Sequence, residues 1–233
     1  KKVYLTDVGQ AFLPFARQAI IETETGIQKL RDMQQIYKGE LRIGVIYSLC
    51  PMLAESIVRF SKEYPEIKLI LTQSTSINDV TIMLHENEVD FALAYKLDTF
   101  SSSTEVVDLF PDPLCLIVHE RSPLAALKKI SIQALTHYPL ALLKPGSYTR
   151  KMIEKIAMES GISLQPMAEI NDTNLLLQMV HTGDWISILS QHSVDSHPEL
   201  RAVPLKEKGG NMQVSLLQLK GRYKKMVAQK FIE

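Results

Sequence analysis

"LRIGVIYSLCPMLAESIVRFSKEYPEIKLILTQ", residues 41–73, holds one complete structural unit. "LRIGVI" (41–46) is an unbroken apolar run of strand length. "CPMLAESIVRFSKEYP" (50–65) places its apolar residues three and four apart, as a one-faced helix does, and Pro65 stops it. "IKLILTQ" (67–73) is a second strand. The pattern continues outward with a helix in "SINDVTIMLHENE" (76–88) and a strand in "VDFALAY" (89–95). Strand, helix, strand, helix, strand with short connections predicts right-handed βαβ units on a parallel sheet.

A similar order returns downstream. "YPLALL" (138–143), "QPMAEIN" (165–171) and "WISILS" (185–190) read as strands. "SYTRKMIEKIAMESG" (147–161) and "TNLLLQMVHTG" (173–183) read as helices between them. The chain is therefore expected to be α/β, with two Rossmann-like subdomains. Two segments join them. "TEVVDLFPDPLCLIVHE" (104–120) reads as two extended runs broken by Pro111 and Pro113. "LRAVPLKEKGGNMQVSLLQLK" (200–220) reads as two runs broken at Pro204 and Gly209-Gly210. Crossover strands near 108–113 and 203–206 make the first subdomain discontinuous, 40–110 with 204–233, around a second at 111–203. The last helix, 222–233, packs back on the first. Two units on two hinge strands open and close about a cleft where a ligand sits.

Residues 10–38 stand outside this pattern. Leu13, Ala16, Ile20, Thr23, Ile27, Leu30, Gln34 and Tyr37 alternate three and four apart, a heptad-like seam widened by Phe12, Phe15, Ala19 and Met33. Thr6 or Asp7 is the expected cap, and Pro14 is expected in the first turn. Such a helix is about 40 Å long. Its position ahead of the α/β units favours pairing with a second helix, so Leu13, Ala16, Ile20, Ile27, Leu30 and Tyr37 are expected at a dimer seam.

Composition narrows the function classes. Among 233 residues, 26 basic side chains balance 26 acidic ones, so the chain carries no bulk electrostatic footprint for nucleic acid. No apolar run has the length of a membrane span. Cys50 and Cys115 are too few for a disulfide framework, which fits a reducing, cytoplasmic setting. The six histidines are scattered, and His192 and His197 beside Asp195 lack a zinc spacing. Neither a G-x-S-x-G elbow nor Cys-x-x-Cys occurs. No catalytic set, metal site or cofactor is expected.

Binding residues are sought at the carboxyl ends of the strands, where open α/β sheets hold ligands. Ser48, in "YSLCP" (47–51), opens a helix there. "QSTS" (73–76) supplies Ser74, Thr75 and Ser76. Across the cleft, "KPGSYTR" (144–150) brings Lys144, Ser147, Tyr148, Thr149 and Arg150 to a helix start, where free N–H groups and hydroxyls favour an anion. Asp172, in "NDT", completes the set. Several of these also have a plain structural reading: Ser48, at least one of Ser74, Thr75 and Ser76, and Asp172 or Thr173 as helix caps, Lys144 and Arg150 as solvated charge.

"YLTDVGQAFLPFARQAI" (4–20), a long helix and then "GELRIGV" (39–45) resemble the LysR-type transcriptional regulators. "HENEVDFALAY", "LIVHERSPLA" and "MVHTGDWISILS" are similar to further motifs of that family, in the same order. Asp184-Trp185 and Ser190 depart from its usual glycine and proline, and "QSTS" lacks its usual glycine. The resemblance implies a periplasmic-binding-protein type II-like fold and a small-molecule effector. The seam of the long helix predicts a homodimer, which a second contact through the α/β units would raise to a homotetramer, and no membrane partner is expected. The resemblance also implies that residues 1–9 end the wing of a winged helix-turn-helix, whose DNA-reading helices precede Lys1 in a longer protein. DNA would then be bound by that domain, and Lys1 and Lys2 would touch phosphate only weakly. A solute-binding protein of a transport system and a biosynthetic enzyme share the bilobed plan and remain the other readings.

Overall fold

The computed structural model describes residues 3–34 and 37–233; Lys1 and Lys2 of the expected wing lie outside them. Helix α1 runs Asp7–Met33, capped by Thr6, whose Oγ1 accepts the Gly9 N–H at 3.1 Å. It starts earlier than the seam alone indicates, so Pro14 sits inside the helix rather than in its first turn. There it removes one intrahelical hydrogen bond. The helix ends at Met33, and Tyr37 lies beyond it. The Tyr37 ring instead meets Tyr64 edge-on at 5.2 Å, so it belongs to the packing of the first lobe and not to the seam. The remaining seam stands open: Ile20, Ile27 and Leu30 are exposed, with Phe12, Phe15 and Met33 beside them.

The first lobe is built from β1 (Gly39–Ile46), α2 (Cys50–Glu63), β2 (Ile67–Ser74), α3 (Ile77–His85) and β3 (Phe91–Tyr95). Strand β4 (Thr104–His119) then crosses to the second lobe, made of β5 (Leu140–Leu143), α4 (Tyr148–Glu159), β6 (Ala168–Ile170), α5 (Thr173–His181), β7 (Ile186–Ser190) and β8 (Leu200–Pro204). Strand β9 (Asn211–Leu219) and α6 (Met226–Ile232) return to the first lobe. The strand order is β2-β1-β3-β9-β4-β7-β5-β6, with β8 on β4. β1 is parallel to β2 and β3, and β5 to β6 and β7, while β9 and β4 run antiparallel to their neighbours.

The β1 strand reads as an apolar run because helices cover it: Leu41, Ile43 and Val45 are fully buried. Phe231 of α6 packs between Phe60 and Phe91, at 5.1 and 5.9 Å, and anchors the chain's end on the first lobe. In the second lobe, Cys115 and Ile117 of β4 meet Leu176, Leu177 and Val180 of α5.

Two sequence expectations about the crossings change. Pro111 and Pro113 do not break the first crossing, because β4 is continuous through both, with a bulge between Asp108 and Phe110. Leu114 N–H donates to Gly210 O at 2.7 Å. By strand alternation the prolines' nitrogens therefore face the other edge, where no ladder N–H is needed. The strand leaves β9 after Pro113 and joins β7 at Leu114. The return crossing comes after Pro204, not at it. β8 pairs with β4 in the second lobe, and Leu205 still bridges to Ile130 there.

Candidate functional site

Between the lobes lies a cleft of about 170 Å3. Its walls are the carboxyl ends of β1, β2 and β3 on one side and of β5 and β6 on the other. The first lobe contributes Tyr47, Ser48, Thr75, Ser76 and Tyr95. The second contributes Lys144, Ser147, Tyr148, Thr149, Asn171 and Thr173. Among the lining residues there is one cation, Lys144, and no carboxylate.

Three helices begin at this cleft. Ser76 caps α3, accepting Asp79 N–H at 3.3 Å. Ser147 caps α4, accepting Arg150 N–H at 3.1 Å, and Asp172 caps α5, accepting Leu175 N–H at 2.8 Å. Each cap satisfies the N–H of the third helical residue. The first N–H groups of α4, on Tyr148 and Thr149, have no partner within the helix. The sharp turn into α4 uses Gly146 at φ +108°, where a side chain would be strained.

The expected residues divide. Ser48, Thr75, Ser76, Lys144, Ser147, Tyr148 and Thr149 all line the cleft. Ser74 does not. Its hydroxyl donates to Asp79 Oδ2 at 2.8 Å and accepts Ser76 N–H, bracing the start of α3. The Asp172 carboxylate is spent on its cap. Arg150 faces away. It is 7 % exposed, and its guanidinium donates to Leu143 O at 3.0 Å, Glu169 at 2.8 Å and Glu154 at 2.7 Å. It pins α4 to the strands beneath, one residue round the helix from Thr149, which faces the cleft.

Tyr95 lines the cleft and escaped the sequence reading, whereas Tyr47, Asn171 and Thr173 line it from the marked stretches "YSLCP" and "NDT" without having been singled out. Tyr95 ends a strand whose carboxyl end was already marked, which is the signal that finds it. Its ring stacks on Tyr148 at 5.6 Å, and Tyr148 Oη donates to Lys96 O at 3.0 Å, so one side chain of the second lobe latches onto the first. Beneath them, Asp112 is fully buried in β4. It accepts Tyr95 Oη at 2.9 Å and the His192 N–H at 3.3 Å, joining both lobes at the hinge. Burial raises the Asp112 carboxyl above its ordinary range, and the Tyr95 hydroxyl is pushed up by burial and then by the Asp112 charge. His192 Nδ1 meets Asp195 at 2.8 Å, and no group among the described residues has the makings of a metal site.

The family of LysR substrate binding domains matches residues 34–233. The chain belongs to that family. A relative, the HTH-type transcriptional activator CmpR of Synechocystis sp. (strain ATCC 27184 / PCC 6803 / Kazusa), is 28% identical over 194 residues. That alignment covers 83% of this chain and 63% of the relative, so the chain spans under two thirds of its length. Among solved structures, the Synechocystis PCC6803 CcmR regulatory domain in complex with 2-PG has a TM-score of 0.72 at 22% identity. It covers 84% of this chain and 94% of that one. Full-length CbnR complexed with its target DNA has a TM-score of 0.72 at 18% identity, covering 100% of this chain and 81% of that one. The likeness in fold to full-length CbnR extends over α1 as well as the two lobes, and the lobes have the periplasmic-binding-protein type II-like arrangement. No helix among the described residues is long and apolar enough to cross a membrane.

Proposed function

We propose that this chain is the effector-sensing and oligomerising part of a cytoplasmic LysR-type, DNA-binding transcription regulator, and that its cleft takes a small anionic molecule. The observation that carries this is the make-up of the cleft. Three helix N-termini, several hydroxyls and Lys144 meet there with no carboxylate among the lining residues. Helix N-termini and unpaired N–H groups favour negative charge. The likeness to a regulatory domain described in complex with 2-PG supports a small ligand for this fold.

In this reading Ser48, Thr75 and Ser76 hold the ligand from the first lobe, and Lys144, Ser147, Tyr148 and Thr149 from the second. The ligand acts only through unequal affinity for the open and closed arrangements of the lobes. The α1 helices pair through Leu13, Ala16, Ile20, Ile27 and Leu30, giving a dimer or a tetramer. They pass the change to DNA-binding heads of the kind for which the HTH-type relative is named. The chain performs no catalysis of its own. The family match favours this reading over a transport protein.

A thermal-shift screen of small carboxylates, phosphates and their neutral analogues tests it, since a ligand of the native state raises its stability. Anions are expected to stabilise the parent, and Lys144→Ala to lose more affinity for an anion than for its neutral analogue. Stabilisation confined to neutral or cationic compounds, or anion affinity indifferent to Lys144→Ala, overturns it.

A further inference from the structure

A second cavity, of about 310 Å3, lies at the opposite end of β1, between α1 and the first lobe. The helix wall carries Glu24, Gln28 and Arg31. The lobe wall carries Glu40, Arg42, Asp90, Arg222 and Lys225. Gly39 sits between them at φ +118°, and a side chain there would meet Gln28 Oε1 at 3.4 Å and Arg31 at 3.5 Å.

The charges do not balance. Four cations face three anions, and most of them are already spent on each other. Lys225 Nζ donates to Asp90 Oδ2 and to Glu40 O, both at 2.9 Å, and Asp90 also takes the Arg42 N–H. The Arg42 guanidinium holds Glu40 at 2.9 Å, which Lys68 shares. Arg31 and Arg222 are left with no carboxylate within ion-pair distance among the described residues. Arg222 is half-buried, and among the described residues its guanidinium has one hydrogen bond, a long one, 3.4 Å to Val89 O. A guanidinium has five donors, so most of its capacity is unmet. Burial accordingly lowers its pKa. Glu24 is exposed and holds no cation within that distance among the described residues.

We propose that this cavity is a second anion site, taking one oxyanion group, carboxylate or phosphate, between Arg31 of α1 and Arg222 of the first lobe. It sits on a joint that is already built. Asp32 of α1 is 3 % exposed and accepts Tyr223 Oη at 2.7 Å, the Met226 N–H at 2.9 Å and Gln28 Nε2 at 2.8 Å. An anion bridging the two arginines adds a tie across the same joint. It therefore stiffens the link between the lobes and the long helix, independently of what fills the cleft.

The test is thermal stabilisation of the 233-residue Lys144→Ala chain, whose cleft has lost its cation, by inorganic phosphate and, separately, acetate, with ionic strength held constant by sodium chloride. At least one of the two should stabilise that chain saturably, and the better one identifies the class of group. Arg222→Gln and Arg31→Gln, added to the same background, should each weaken that response at least fivefold. Glu24→Gln, which removes a repelling carboxylate, should strengthen it. Arg31 lies on an exposed helix surface, so its variant reports even if Arg222→Gln does not fold. The proposal is overturned if neither anion stabilises the Lys144→Ala chain beyond chloride, or if Arg31→Gln leaves the response in that background unchanged.

Discussion

Arg150→Ala separates a structural arginine from a ligand-holding one. The side chain is 7 % exposed and makes three hydrogen bonds. The carboxylates of Glu154 and Glu169 are 52% and 40% exposed, so each ion pair is screened and contributes at most about 0.5–1 kcal/mol. The buried bond to Leu143 O contributes about 1–1.5 kcal/mol, because its loss leaves a carbonyl at a strand end without its donor. The total is about 2–3.5 kcal/mol. For a chain of this size that corresponds to a fall in Tm of roughly 5–10 °C. Arg150→Lys should recover less than half, since one ammonium cannot span three acceptors set by a planar fork. Scanning calorimetry of both variants, with anion titrations alongside, is the assay. A Tm within about 2 °C of the parent, combined with a loss of anion affinity as large as that of Lys144→Ala, would refute the reasoning.

Tyr148→Phe keeps the stack on Tyr95 but loses the bond to Lys96 O, an exposed carbonyl, at a cost of about 0.5–1 kcal/mol. Spin-label distances between the lobes should show the open fraction rising two- to fivefold by that free energy, and an unchanged distribution contradicts the latch. Asp112 has a folded pKa above its unfolded value of 3.8, so the folded state holds its proton longer. The stability of the parent relative to Asp112→Asn should be constant below that value, fall as pH rises through the folded pKa, and then level off. A difference that grows with pH reverses the sign and defeats the account. Ile20→Glu with Leu30→Glu places charge on the exposed stripe of α1 and should convert a self-associating chain into monomers in sedimentation. Parent and variant of the same mass in solution contradict the seam.

Periodicity and turn chemistry made most of the fold legible. The βαβ order, the two crossings and the returning last helix all follow from strand-length apolar runs, one-faced helices and the placing of proline and glycine. What escaped depends on direction and on distance along the chain. Thr149 and Arg150 are neighbours at a helix start, and only the built helix shows that one faces the cleft and the other faces the sheet. Pro111 and Pro113 look like breaks because a proline disrupts a ladder only on one edge, and the sequence does not say which edge is paired. Tyr37 continues the heptad count, but its ring finds Tyr64 once the helix has ended. Asp112, between two prolines, gives no sign of burial or of its place at the hinge. The joint of Asp32 with Tyr223 links positions 191 residues apart, beyond the reach of any local pattern.

The central claim is that one ligand is held from both lobes at once. Calorimetric titration of the strongest-binding small anion from the screen, into the parent and into Ser48→Ala and Thr149→Ala, tests it most directly. Ser48 belongs to the first lobe and Thr149 to the second, and both line the cleft. Each variant should melt within a few degrees of the parent and bind about fivefold or more weakly, the loss of about 1 kcal/mol that one hydrogen bond carries. Two folded variants that both bind like the parent would place the ligand outside the cleft and contradict the account.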